Sequence, residues 1–208
     1  MKLLKSKYFI LAGILFLAAG LAEGIVYMHY GELQARPVLL GQFMRIYPVY
    51  NDNGSWIHGR LGIGYVWWML ICEDILSLLL EVFLIRFISA LCDFFSLSRK
   101  IILLMACGMS ATAYRLFTRL RGVYVLDYLH VRGHGVFDLP DLYLFVMLVG
   151  IILWLLPYHM VYHPYKKEKV KGMPLLQKWA WELKFSGVFF RAVFLPQDRW
   201  EELFKEWK

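Results

Sequence analysis

Two aspartates stand where a carboxylate is costly to hold. Asp127 and Asp141 flank a short polar stretch in which one apolar run ends and the next begins. Acids at the mouth of a membrane span mark a functional site by default. Two carboxylates brought together cannot both ionise cheaply, so they hold one proton between them near neutral pH. One can then take a proton from water while the other polarises a carbonyl. Asp127 follows the alternating Val123-Tyr124-Val125-Leu126, which presents it from an extended or helix-end segment. Asp141 also has a purely structural reading. With Asp138 as N-cap and Pro140 in the first turn, Asp141 falls at the third helical position, and no catalysis is required. Asp127 has no such alternative.

Other chemistries fit less well. Asp127, His130, His134, Asp138 and Asp141 share one loop and include metal-ligand types. Their spacing matches no zinc motif such as His-Glu-x-x-His, so neither a metal nor another cofactor is expected. Gly62-Ile63-Gly64 is too short for a phosphate loop, and no dinucleotide fingerprint occurs anywhere. Cys72, Cys92 and Cys107 all lie in apolar runs, which argues against a disulfide framework.

The elements that must position the acids are set by the solvent. Hydrophobic residues make up 60% of the 208 and charged residues 19%, with a mean hydropathy of +0.52. Soluble domains are near half apolar and a quarter charged. Long apolar blocks therefore predict an all-α membrane protein of four spans. Lys2, Lys5 and Lys7 precede the first, residues 8–28. Gly20-Leu21-Ala22 resembles a cleavage site, but the apolar run continues past it, which favours an uncleaved span. The second span covers 65–91, with Trp67 and Trp68 at its interface, and the third 101–117, with Gly108, Ser110 and Ala111 for close packing. Glu73 and Asp74 are expected just below the interface, solvated by polar loops. The fourth runs from Asp141 to Pro157.

Basic residues before the first span and after the last place both termini in the cytoplasm. Residues 29–62 and 118–140 then lie outside with the two aspartates. Asn53-Gly54, between aromatic and β-branched residues, predicts a small surface β-hairpin. Residues 1–158 form the four-span domain, and 159–208 a basic amphipathic cytoplasmic tail. Net charge is +7, concentrated in the tail at Lys166, Lys167, Lys169, Lys171, Lys178 and Lys184. Such a cluster beside a span points to anionic membrane lipid rather than nucleic acid. Trp200, Leu203, Phe204 and Trp207 fall on one helical face behind the capping pair Asp198 and Glu201. The tail is expected to lie on the membrane as interfacial helices or to dock a protein partner.

Around the two acids the chain resembles the lipoprotein signal peptidase (signal peptidase II) family. That family carries Asn-x-x-Asp-Arg, then Gly-x-Val-x-Asp-Phe, then Phe-Asn-x-Ala-Asp opening the last span. Arg119 matches the arginine, Val125-Leu126-Asp127-Tyr128 the second core, and Phe137-Asp138-Leu139-Pro140-Asp141 the third. The resemblance covers about residues 8–158. It implies that Asp127 and Asp141 are a catalytic dyad. Arg119 and the Asn53-Gly54 turn would face substrate. The substrate would be a lipid-modified prolipoprotein, cut at the extracytoplasmic side of a bacterial inner membrane. The chain departs from the pattern at Arg115 and Thr118, which replace Asn and Asp, and at Asp138 and Pro140, which replace Asn and Ala. Gly122 precedes the family's glycine position, here Val123, and Glu23 is followed by Tyr27 where the family has lysine. Two readings follow: a divergent peptidase, or a homologue that binds without cutting.

Overall fold

The computed structural model describes residues 2–51, 62, 66–122 and 124–207. Four helices are long and apolar enough to cross a membrane. They are α1 (Lys2–Met28), α3 (Trp67–Phe95), α4 (Lys100–Leu120) and α5 (Leu139–Lys169). The chain is a multi-pass membrane protein. α1 leaves Phe9, Ile14, Leu17 and Leu21 more than half exposed, an apolar surface of the kind a membrane span turns to lipid. α4 is the most enclosed span, with Met105, Ala106, Ser110 and Ala111 buried along it.

A short helix α2 (Tyr30–Ala35) and a four-stranded antiparallel sheet complete the site end of the chain. Its strands are β1 (Val38–Leu39), β2 (Met44–Tyr50), β3 (Leu126–Val131) and β4 (Gly135–Phe137), in that spatial order. The β2–β3 register slips between Ile46 and Val49. Pro48 sits there and has no N–H for the ladder, so the strand bulges around it. β3 turns into β4 through Gly133 at φ +79°, a left-handed position that favours glycine. Leu126 and Tyr128 pack on Val26 of α1, with Leu139 of α5 beside them, which ties the sheet to the helix mouths. The described sheet ends, on the β2 side, beside the stretch where the outer hairpin was expected. Asn53 and Gly54 lie outside the described residues.

Two compact units are distinguished, with boundaries inside α3, α4 and α5. One is Met1–Leu79 with Met105–Met147, and the other Leu80–Leu104 with Leu148–Lys208. The first contains the sheet and both acids.

In the second unit, α5 does not stop at Pro157. It continues through Pro157 and Pro164 to Lys169. Trp154, Tyr158 and Tyr162 stack one turn apart with ring centroids 5.4 Å apart, which offsets the proline's lost hydrogen bond. The tail forms α6 (Leu175–Phe194), a 3-10 turn (Gln197–Arg199) and α7 (Trp200–Phe204). The face of Phe185 and Phe189 packs on Phe94 of α3, and Phe204 closes the cluster. Trp200 Nε1 donates to the Ala192 carbonyl at 2.8 Å. Arg86, the cation inside the second apolar block, donates to the carbonyls of Val193 and Leu195. There it meets the negative end of the α6 dipole. Trp200 and Phe204 therefore face the chain's own core. An apolar row on α6, including Leu176, Trp179 and Leu183, stays exposed.

Candidate active site

Strand pairing brings Asp127 to the helix mouths. In β3 it stands opposite Val49, and the adjacent residues Tyr50 and Leu126 continue the pairing of the two strands. The Asn51 N–H donates to the Val125 carbonyl at 2.9 Å, and Asn51 Nδ2 donates to Asp127 Oδ2 at 3.0 Å. Asn51 lies in the stretch whose turn was read from Asn53-Gly54. Nothing local in the sequence marks it, because the partners are 76 residues apart.

Asp138 and Asp141 form the cap read from the sequence. The Asp141 N–H donates to Asp138 Oδ1 at 2.7 Å, and the Asp138 N–H donates to Asp141 Oδ2 at 3.1 Å. This reciprocal pair satisfies two backbone donors at the start of α5. It also holds both carboxylates rigidly. One oxygen from each of Asp127, Asp138 and Asp141 lies within 4.8 Å of the others. The two expected acids are together, and Asp138 is a third member.

Arg115 of α4 joins them. Its Nη2 bonds Asp141 Oδ1 and lies 4.0 Å from Asp138 Oδ1. Three carboxylates against one guanidinium leave an excess of negative charge if all ionise. Burial, then the neighbouring Asp141, push the Asp127 carboxyl up to about 7, although Asn51 and Arg115 pull the other way. Burial and Asp141 likewise raise Asp138 well above the usual carboxylate range. A cluster of this kind retains a proton at neutral pH.

Arg119 is placed elsewhere. It is 3% exposed, with Nη1 2.7 Å from Asp74 Oδ2 and 2.7 Å from the Leu70 carbonyl. Trp67 Nε1 donates to its backbone carbonyl. Enclosed this way it is a helix clamp rather than a surface for substrate. Asp74, expected to be solvated, is buried against it for the same reason. Thr118, at the family's aspartate position, turns its hydroxyl back to the Arg115 carbonyl at 2.8 Å.

The loop histidines stand apart from the acids. His130 pairs with Arg45 across β2–β3, and exposed His134 bonds the Arg132 carbonyl. Among the described residues the only grouping with metal-ligand geometry is the three aspartates, and Arg115 already occupies it with positive charge. On the α1 side, a cleft of about 420 Å³ is lined by Gly20, Glu23, Tyr114, Thr118 and Arg121. Tyr114 donates to Glu23 there, and Glu23 adds to the negative field at Asp127.

No protein-family model matches the sequence, and no curated protein is similar to it. The fold has solved counterparts. One is a bacterial membrane enzyme determined by the in meso method, with 15% identity and a TM-score of 0.50, covering 81% of this chain and 93% of its own. A second bacterial membrane enzyme shows 13% identity and a TM-score of 0.48, over 73% and 93%. At such identity the likeness is one of fold.

Proposed function

We propose that this chain is an intramembrane aspartic endopeptidase of the signal peptidase II type, acting on lipid-modified prolipoproteins. The observation that carries the reading is the meeting of Asp127 and Asp141 at the mouths of α1 and α5. One acid comes from a strand and the other from a helix start, and their oxygens are within 4.8 Å. The bacterial membrane enzyme that matches with a TM-score of 0.50 is compatible with it.

Charge assigns the roles. The guanidinium of Arg115 sits on Asp141, whereas Asp127 takes its hydrogen bond from the neutral Asn51 amide. The shared proton therefore resides on Asp127, which donates to the scissile carbonyl oxygen. Asp141 takes a proton from water as that water attacks the carbonyl carbon. The cleft beside Glu23, lined by Gly20 on α1, offers a helical signal peptide a lateral approach from lipid. Basic residues at both ends of the four-span set support a site on the extracytoplasmic side, which in this reading is that of a bacterial inner membrane.

A second reading is a homologue that binds prolipoprotein without cutting. The Arg115–Asp141 ion pair favours it, because the guanidinium occupies the carboxylate oxygen that an attacking water would need. The test is cleavage of a lipidated prolipoprotein by purified protein, beside Asp127→Asn and Asp141→Asn, with chelator added. Cleavage by the wild type alone supports the peptidase. A folded wild type that binds the substrate and leaves it whole selects the binding homologue.

A further inference from the structure

A second cavity lies at the opposite end of the β2–β3 pair from the acids. It measures about 310 Å³, and its lining includes Leu39, Phe43, Met44, Arg45, His130 and Arg132. The β1–β2 turn closes over the end of β3, where the Arg132 N–H donates to the Phe43 carbonyl at 2.9 Å. Arg45 and His130 are cross-strand partners, so their side chains leave the sheet on one side. The Arg45 guanidinium lies 5.1 Å from the Tyr47 ring centroid, and its Nε is shielded from solvent, with no hydrogen-bond partner among the described residues. No carboxylate is among the described residues lining the cavity, so nothing there neutralises the two arginines.

The side chains that converge there supply donors and positive charge, the complement of phosphate oxygens. The rim selects the source of the phosphate. Leu39 is 73% exposed and Phe43 70%, with Leu40 and Met44 also open. The sheet they belong to is fastened to the mouths of α1 and α5, where the hydrocarbon layer ends. A cationic floor beside an apolar rim fits a group that is charged at one end and greasy at the other. A soluble anion would leave the rim uncovered.

We propose that Arg45, His130 and Arg132 bind the phosphate of an anionic phospholipid, with its acyl chains along Leu39, Leu40 and Phe43. This contact anchors the far end of the same two strands that carry Asn51 and Asp127 near the helices.

The test uses the full chain in vesicles containing a photoactivatable phosphatidylglycerol, with crosslinks mapped to peptides. The expected result is labelling of the 38–45 segment that falls about tenfold or more in Arg45→Gln/Arg132→Gln, since one charge-assisted hydrogen bond is worth roughly that factor. Labelling of the 175–194 helix should not change. If the double variant does not fold, Arg45→Lys and Arg132→Gln singly carry the test, each with a several-fold loss. Undiminished labelling in folded variants overturns the site. Equal labelling by photoactivatable phosphatidylcholine overturns the anionic lipid, and displacement by millimolar inorganic phosphate makes a soluble anion the occupant instead.

Discussion

Arg115 and Arg119 stand one helical turn apart on α4 and do opposite things. Among the described residues Arg119 bonds Asp74 and the Leu70 carbonyl, inside packed helices. One guanidinium faces one carboxylate in that contact, which therefore holds or breaks. Arg115 meets an excess of acid: Asp141 in direct contact, Asp138 at 4.0 Å, and Asp127 beyond them. There the charges do not balance, and a proton must make up the difference. A matched pair fixes two helices together, whereas a mismatched cluster stores a mobile proton.

The largest expected effect breaks the mismatched side. Asp127→Asn or Asp141→Asn should lower prolipoprotein cleavage by about 10³-fold, the scale of losing a general acid or base. A gel-based cleavage assay reads this, and the variants should remain folded. The matched side should break as stability instead. Arg119→Ala strands Asp74 in the helix interior and should cost about 3–5 kcal/mol, seen as a lower Tm in detergent. Asp74→Leu combined with Arg119→Met should cost less than Arg119→Ala, because neither charge is then left alone. Equal losses from both would mean that the pair does not act as one unit.

Arg115→Gln sharpens the contrast within the cluster. Removing the guanidinium, which pulls the Asp127 carboxyl down, should move the alkaline limb of the pH–rate profile up by about one unit. Its effect on Tm should be small beside that of Arg119→Ala. A Tm loss as large as that of Arg119→Ala would make the two arginines alike.

The smallest effect concerns stability against pH. Asp127 has its carboxyl raised from 3.8 to about 7 in the folded chain, so the fold binds its proton more tightly than the unfolded chain does. The stability this contributes is complete below about pH 4 and is lost as pH rises through 7. Asp127→Asn lacks that loss. Its Tm should exceed the wild type's by a few degrees at pH 8, with the advantage shrinking toward pH 4. Active sites commonly carry such a cost.

Much of the fold was legible because the hydrophobic effect writes spans as long apolar runs. All four expected spans correspond to helices, and the Asp138–Asp141 cap followed from residue types three apart. Pro157 misled because a proline stop is a local rule, and aromatic stacking along α5 overrides it. The tail's apolar face at Trp200 and Phe204 was legible as a face, but its partner, Phe189 with Phe94 behind it, lies far back in the chain. At the site, Asp127 and Asp141 stood out as acids at span mouths. Arg119 was drawn to the site by motif, while spacing gave no hint that Asp74, 45 residues earlier, would enclose it. Asn51 and Arg115 were equally hidden, since a strand register and a helix crossing bring them in.

The most direct measurement is the pH dependence of prolipoprotein cleavage by purified wild-type protein between pH 5 and 9. A proton held on Asp127 predicts a rate that falls as pH rises past about 7, the value to which its carboxyl is pushed. A rate still climbing through pH 9, or no cleavage at any pH by folded protein that binds substrate, would contradict the acid pair as the catalyst.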